Sequence, residues 1–363
     1  MERVLVCIIA STRSQQLTFP SFKRHVLDEL NGDLALALAI NEKYDYAGPF
    51  WQHAKYRWTA PDFRDYGDAF DLAQRWLCQQ HNVQAPDWRL MLQIKGDWQG
   101  AIRSPDPQGT ASSIQTFCRW LLLHGLQQDE ILDRYDRFII TRSDLVRLSP
   151  HPPLSILDRD AIWVPEGEDY GGLNDRHLVV SRTDVVNCLN LIEDILLHPI
   201  QLYEEMRNQP GYYYWNNELL LAHHFKRKRI LDKVKRFPNV MYLARQVNDL
   251  SPTPSEGTYE PAVGHYVKFK EEYRLASAYA TIIRSRADWE RGAWRSFNPT
   301  FADSRQDPPL RRLRYACEGA YVKIRSALRR PGRVKKLIRF FKKMLGRDPT
   351  QAEMHMSRRP IPR

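Results

Sequence analysis

The sequence predicts an α/β fold built around a central, mostly parallel sheet. Residues 3–10, 34–40 and 138–141 are short apolar runs bounded by turn-forming residues, a pattern typical of buried strands. A helix predicted over residues 20–30 lies between the first two runs, and this succession favours parallel pairing. Ligands of such sheets bind beyond the carboxyl ends of the strands. The polar residues that follow each run are therefore the first candidates for a site.

The rest of the chain supplies further elements of both kinds. Apolar runs predict additional strands over residues 88–94, 161–164 and 240–243. Helical periodicity and capping signals predict helices over residues 69–80, 114–125, 184–197, 219–226 and 268–287. Together these elements predict a single domain over residues 1–300, followed by a proline-containing linker over residues 301–310.

The positive charge of the chain is concentrated near its carboxyl end. The 363 residues carry a formal net charge of +11, and residues 311–347 hold fourteen Lys or Arg against the single acid Glu318. One apolar stripe of a helix runs through this segment, formed by Val334, Leu337, Ile338, Phe341 and Leu345. We expect a basic amphipathic tail that binds an anionic membrane surface, followed by a disordered end over residues 348–363. The alternative is a helix packed back on the domain.

Cysteine usage and hydropathy indicate the compartment. The five cysteines are widely spaced and include no Cys-x-x-Cys pair, which favours a reducing environment over a disulfide framework. No apolar stretch reaches the ~18 residues that a membrane span requires. We therefore expect a cytoplasmic protein that associates with membranes peripherally.

Several residues near predicted strand ends suit a phosphate-bearing ligand. Asp144 follows the strand at 138–141 and could hold a divalent cation between two phosphates, although a turn or cap aspartate is the alternative. Arg142, two residues earlier, suits a phosphate or carboxylate directly. The other candidates for contacts to a nucleotide diphosphate are Arg13, Ser112, Ser113 and Arg119.

A polar, glycine-containing loop follows the predicted strand at 161–164. Its candidate ligand-binding residues are Gly171, Gly172, Asn174, Asp175 and Arg176. Asp175 could act as a general base or bind sugar hydroxyls, and an ion pair with Arg176 is the alternative.

Two later residues have equally plain alternatives. Glu218 opens the predicted helix at 219–226, where capping alone would account for a carboxylate. His265 could ligate a metal ion or could be an ordinary packed histidine.

The two central motifs resemble those of GT-A nucleotide-sugar glycosyltransferases. The sequence is most similar to a group of bacterial, viral and plant glycosyltransferase-like proteins associated with surface polysaccharides. The matching segments are YDRFIITRSD at residues 135–144 and IWVPEGEDYGGLNDRH at residues 162–177. The similarity covers about residues 1–270.

The resemblance implies roles for individual residues. Asp144 would hold Mn²⁺ or Mg²⁺ on the donor diphosphate, with His265 as second ligand. Asp175 and Glu218 would face the acceptor, one of them as catalytic base. Arg142 stands where the family has the first Asp of Asp-x-Asp, so this arginine could itself neutralise the diphosphate.

These observations together predict a hexosyl- or deoxyhexosyl-transferase. Its donor would be a nucleotide-sugar and its acceptor a glycan or lipid-linked glycan in surface polysaccharide synthesis. A non-catalytic nucleotide-sugar or glycan-binding protein of the same fold is one alternative. A nucleic-acid-binding protein is the other, but the near-neutral domain and the lack of a nucleic-acid-binding motif disfavour it.

Overall fold

The computed structural model describes residues 2–40, 45–103, 111–209, 214–245 and 257–297. The chain divides into one unit over Met1–Phe301 and another over Ala302–Arg363. The predicted linker, basic tail and carboxyl end lie outside the described residues. Within the described ranges, no helix is both long enough and apolar enough to cross a bilayer.

Eleven strands are described. They are β1 Val4–Ala10, β2 Asp33–Ile40, β3 Tyr56–Pro61, β4 Arg137–Thr141, β5 Leu145–Arg147, β6 Ile162–Pro165, β7 His177–Ser181, β8 Val234–Phe237, β9 Met241–Arg245, β10 Thr258–Glu260 and β11 His265–Val267. Seven form the main sheet in the order β3-β2-β1-β4-β7-β6-β8. All its strands run parallel except β7, which is antiparallel to both neighbours. The predicted α/β class with a mostly parallel central sheet is confirmed.

Eleven α-helices lie within the described ranges. They are α1 Gln15–Phe22, α2 Asp28–Leu30, α3 Pro49–His53, α4 Tyr66–His81, α5 Ser112–Gln128, α6 Arg182–Leu189, α7 Leu191–Leu197, α8 Pro199–Arg207, α9 Asn217–Arg227, α10 Lys270–Ile282 and α11 Arg286–Arg291.

The core lies on both faces of the main sheet because the central strands carry buried apolar side chains on both faces. In β1, Leu5 and Cys7 point into one buried cluster with residues of α4 and α5. Val6 and Ile8 point into a second cluster that includes Phe22. A strand buried on both faces reads as a continuous apolar run, which explains why β1, β2 and β4 are visible in the sequence.

A second, antiparallel sheet lies beyond the carboxyl end of β4. Its strand order is β10-β11-β9-β5, and β5 begins directly after Asp144. Leu145 pairs with Leu243 of β9, and Val267 of β11 pairs with Ala244. The small sheet therefore brings residues distant in sequence next to the end of β4.

Several predicted elements differ from the structure. Residues 88–94 do not form a strand: Trp88–Gln93 is a 3₁₀ helix whose start is capped by Asp87, which accepts from the Arg89 amide at 3.1 Å. The first helix begins at Gln15 rather than near Pro20, and a π-helical turn at Lys23–Leu27 follows the proline.

The two longest predicted helices are also each divided. The one over 184–197 breaks at Asn190, between α6 and α7. The one over 268–287 ends at Ile282, and α11 starts separately after a Ser285 capping box.

Candidate active site at the carboxyl edge of the sheet

The carboxyl ends of β1 and β4 lie side by side, and polar residues leave both. The two strands pair in parallel, with Ile8 opposite Thr141. Ser143, just beyond β4, donates its hydroxyl to the backbone oxygens of Ser11 at 2.7 Å and Arg13 at 3.2 Å. This contact places the Arg13 segment next to Arg142–Asp144, as parallel topology predicts for neighbouring strand ends.

Asp144 is buried and bound by two guanidinium groups. Arg142 donates Nε to Oδ1 at 2.9 Å and Nη2 to Oδ2 at 2.8 Å. Arg245, at the end of β9, donates Nη1 to Oδ2 at 2.7 Å. Burial alone would raise the pKa of Asp144, but Arg142, Arg245 and the nearby Arg13 hold that pKa well below its usual range. Asp144 is therefore ionised and bonded to two cations.

A third cation, Lys268, lies beside this group. It follows β11, and its ammonium group lies 4.8 Å from the centre of the Phe269 ring. Burial and the positive charges of Arg142 and Arg245 lower the pKa of Lys268 to about 8. The carboxyl edge thus carries several cations around a single carboxylate.

The glycine-containing loop packs directly on the start of α9. A Cβ at Gly172 would lie 2.1 Å from the backbone oxygen of Glu218, so only glycine permits this contact. The neighbouring Leu173 amide donates to the same oxygen at 3.0 Å. Asn216 caps α9 by accepting from the Leu219 amide at 2.8 Å. The glycine therefore sets the position of Glu218 relative to the loop.

This packing brings Asp175 and Glu218 together. Asp175 is buried, and its carboxylate accepts a hydrogen bond from the Asn217 side-chain amide. Burial and then the neighbouring Asp175 charge raise the pKa of Glu218 to about 8. Arg176 and Arg142 act in the opposite direction. Two carboxyl groups sharing a site, one of them protonated near neutral pH, suit acid–base chemistry.

Arg176, predicted to bind the donor, is held by two buried carboxylates. It donates to Glu168 at 3.0 Å and to Glu272 of α10. The second oxygen of Glu272 accepts from the Leu243 amide at 3.0 Å. The side-chain relative exposures of Arg176, Glu168 and Glu272 are 6%, 1% and 1%. Arg176 thus ties the loop to α10 and β9, and any ligand contact would be additional to these bonds.

The remaining predicted donor contacts have structural partners. Arg119 is buried within α5 and donates to the backbone oxygen of Asp175 at 3.0 Å, so it supports the loop from behind. Ser113 donates its hydroxyl to the Trp98 carbonyl at 3.1 Å. Asn174 donates to the Gly167 carbonyl at 2.9 Å and accepts from the Arg176 amide at 3.0 Å. Of the other predicted contacts, Ser112 lies in the first turn of α5, and Gly171 lies in the glycine-containing loop.

The residues around Asp144 do not fit a divalent cation. Mg²⁺ and Mn²⁺ bind several oxygen ligands, but the Asp144 carboxylate already accepts three hydrogen bonds from the guanidinium groups of Arg142 and Arg245. Arg13 and Lys268 add further positive charge near this carboxylate, which opposes the binding of a metal cation. Within the described ranges, no group of three or more His, Cys, Asp or Glu side chains is arranged to hold a metal ion.

His265 also lies apart from Asp144. Its Nε2 bonds to the Tyr242 hydroxyl at 2.9 Å and its Nδ1 to the Val263 carbonyl at 2.9 Å. Tyr266 pairs with Arg245, so strand alternation puts His265 on the face of the small sheet opposite Arg245. Since Arg245 is the residue that reaches Asp144, the two predicted metal ligands do not converge.

Sequence reasoning did not identify Arg245, Lys268 or Glu272. Arg245 ends an apolar strand, the same signal that drew attention to Arg142, but the predicted strand stopped at Leu243. Lys268 and Glu272 lay within a predicted amphipathic helix, where charged residues are expected on the solvent face. Their positions depend on the small sheet, whose pairing is not visible in the sequence.

Comparisons with known proteins add a likeness of fold. No protein-family model matches the chain, and no curated protein matches it in sequence. Solved structures similar to this chain include mouse xyloside xylosyltransferase 1 in its apo form and galactosyltransferase LgtC with donor and acceptor sugar analogues. The first is 8% identical with a TM-score of 0.35, over 66% of this chain and 86% of that chain. The second is 9% identical with a TM-score of 0.34, over 65% of this chain and 74% of that chain.

At these identities and TM-scores the likeness carries no functional argument. The function must therefore be argued from the chemistry of the side chains that meet at the carboxyl edge.

Proposed function

We propose that the protein is a glycosyltransferase that moves a sugar from a nucleotide-sugar donor to a hydroxyl group of a glycan or lipid-linked acceptor. The observation that carries this proposal is that a cluster of arginines and a pair of carboxyl groups lie at the same edge of the sheet. Arg142 and Arg245 bond to Asp144, and Arg13 lies near it. The neighbouring carboxyl groups of Asp175 and Glu218 are close enough to Arg142 to interact with its charge. An anionic leaving group and a hydroxyl nucleophile need these two environments next to each other.

Each group has a definite task in this reaction. The guanidinium of Arg142 stabilises the negative charge that develops on the departing nucleoside diphosphate. The pKa of Glu218 is about 8, which is close to the pKa at which a general base works best near neutral pH. Asp175 raises that pKa and is the other candidate for the base. Surface polysaccharide or glycan synthesis is the pathway class that the motif resemblance favours.

The test is release of nucleotide from a panel of UDP-, GDP-, CMP- and dTDP-sugars by the purified full chain. We expect Glu218→Gln or Asp175→Asn to lower turnover roughly 10²–10⁴-fold while donor affinity changes little. Each substitution keeps the shape of the side chain and removes its basicity. Glu204→Gln, at an exposed carboxylate of α8, is the matched control and should keep wild-type turnover.

The outcomes separate the alternatives. Donor binding without release of nucleotide from any sugar would favour a non-catalytic binding protein. Full turnover in both carboxamide variants would exclude both residues as the base.

We further propose that residues 311–347 attach the enzyme to an anionic membrane surface. Apolar insertion and roughly 1 kcal/mol per basic residue near an anionic leaflet support reversible attachment. The full chain should sediment with anionic vesicles, dissociate in high salt, and lose vesicle binding when truncated at Pro309. Equal binding by the truncated and full-length chains would contradict a role for this segment.

A further inference from the structure

Positive charge at the carboxyl edge exceeds what Asp144 can balance. Arg142 and Arg245 both bond to this one carboxylate. Arg13 is close enough to act on the same group, and Lys268 is close enough to both bonded arginines for their charges to affect its pKa. The two bonded arginines and Lys268 therefore lie close to this one ionised carboxyl group. Such a cluster of cations has a net attraction for an anion.

Lys268 lies in an unfavourable environment for a cation. Its side chain is half-buried, and its ammonium group lies 4.8 Å from the centre of the Phe269 ring. Burial and the charges of Arg142, Arg245 and Arg176 act to destabilise its charge, and Asp144 acts to stabilise it. A bound anion would relieve this repulsion, because an opposite charge within a few ångströms favours the ionised form.

We propose that Arg142, Arg245 and Lys268 bind the donor diphosphate directly, in place of the divalent cation that the motif resemblance implies. This inference rests on the proposed function for the identity of the ligand. It does not rest on that function for the existence of the anion site, which follows from the charges and contacts of the described residues.

The two arginines are held ready for such a ligand. Arg245 has a side-chain exposure of 5% and is fixed by Asp144 at 2.7 Å and by the Ala244 carbonyl at 2.8 Å. Arg142 has an exposure of 16% and uses Nε and Nη2 on Asp144. Asp144 therefore orients the two guanidinium groups. Cations fixed in advance in a site that excludes water stabilise a phosphate more than mobile surface cations do.

The anion site can be measured without turnover. We would titrate inorganic pyrophosphate, UDP and GDP into the full-length protein by calorimetry, once in EDTA and once in Mn²⁺. We expect pyrophosphate and at least one of the nucleotides to bind in EDTA, with affinity that falls as salt is raised. Lys268→Gln should weaken binding at least roughly tenfold, the usual effect of losing a charge-assisted hydrogen bond, and Lys268→Arg should restore most of it.

Lys270→Gln is the matched control. Lys270 lies two residues further on and is exposed at the start of α10. The Lys270→Gln variant should therefore bind pyrophosphate as the wild type does. Circular dichroism and the melting temperature of each variant show whether it is folded.

The results distinguish this inference from the proposed function. Binding that disappears in EDTA, or that Lys268→Gln and Lys270→Gln weaken equally, would overturn the direct anion site. Metal-free binding of pyrophosphate that depends on Lys268, in a protein that releases nucleotide from no sugar donor, would uphold the site and overturn glycosyl transfer. Sugar transfer that requires Mn²⁺ would uphold glycosyl transfer and overturn the metal-free diphosphate site.

Discussion

Asp144 and Glu218 are two carboxyl groups at the same sheet edge with opposite electrostatic surroundings. Burial acts on both in the direction of a raised pKa. Around Asp144 the charges of Arg142 and Arg245 outweigh burial, so its pKa lies well below the usual range. Around Glu218 the neighbouring Asp175 adds to burial, and its pKa rises to about 8. The difference shows that the balance of neighbouring charges, added to burial, sets the direction in which the pKa of each carboxyl group moves here.

This contrast assigns different work to the two groups. A permanently ionised carboxylate bound by guanidiniums can hold those cations in place, but it is a poor base because its charge is already satisfied. A carboxyl group that titrates near neutral pH can take and return a proton. We therefore propose that Asp144 positions the guanidinium groups and that Glu218 transfers the proton.

The largest expected effect comes from removing the charge of Asp144, to which Arg142 and Arg245 bond. Asp144→Asn leaves the buried guanidiniums of Arg142 and Arg245 with an amide in place of their shared carboxylate. We expect the free energy of unfolding to fall by roughly 3–5 kcal/mol, the usual cost of removing one partner of a buried ion pair. Urea unfolding at neutral pH measures this loss.

An exposed ion pair provides the comparison for that variant. Asp28 pairs with Lys23 at 2.6 Å, with side-chain exposures of 56% and 45%. Asp28→Asn should leave stability nearly unchanged, because solvent screens such pairs. Similar losses in both variants would mean that burial at Asp144 does not matter.

Two adjacent glycines, Gly171 and Gly172, test how the loop is held on α9 and thereby how Asp175 and Glu218 are brought together. At Gly172 the Cβ of alanine would meet the Glu218 carbonyl at 2.1 Å, whereas at Gly171 the nearest atom, a Leu219 methyl carbon, is 3.7 Å away. Gly171 instead has a φ of +86°, which costs an L-residue about 1–2 kcal/mol. Gly172→Ala should therefore displace the loop from α9, and its cost in stability of roughly 1–3 kcal/mol should come with a loss of turnover.

Gly171→Ala is expected to lower stability while leaving the loop on α9 and turnover largely intact. Turnover lost equally in both variants would show that the contact at Gly172 is not what positions Glu218.

The parts of this architecture that are local in sequence could be predicted. Strands β1, β2 and β4 are apolar on both faces, and Arg13, Arg142 and Asp144 follow two of them directly. Strand β7 was missed because His177, its first residue, closes the polar loop motif. The strand is nevertheless buried throughout, and Leu178 pairs with Ile140.

The surroundings of the predicted site residues could not be read in the same way. Asp175 and Glu218 are 43 positions apart, and their proximity depends on contacts between a loop and a helix, including the close approach of Gly172 to the Glu218 backbone. Arg245 reaches Asp144 across 101 positions, through a small sheet in which three of the four strands are three residues long. Interactions of this kind depend on tertiary pairing rather than on periodicity, so the charge balance around each carboxyl group emerges only from the fold.

The last expected effect concerns stability as a function of pH. The pKa of Glu218 is about 8 in the folded protein, above the ordinary value of 4.5. As pH rises from about 4.5 to about 8, the unfolded chain releases this proton while the folded protein retains it, so stability falls over that window. Glutamine cannot ionise, and above pH ~8 Glu218→Gln should therefore have a higher melting temperature than the wild type.

This difference should vanish near pH 4, where the wild-type carboxyl group is protonated in both states. In an Asp175→Asn background the neighbouring charge is gone, so the pKa of Glu218 falls and the advantage of glutamine becomes smaller at every pH above 5. Thermal melts of the four proteins from pH 4 to pH 9 measure both effects. A stability advantage that is independent of pH, or unchanged by Asp175→Asn, would show that Glu218 does not share its environment with Asp175, and the assignment of proton transfer to this pair would be wrong.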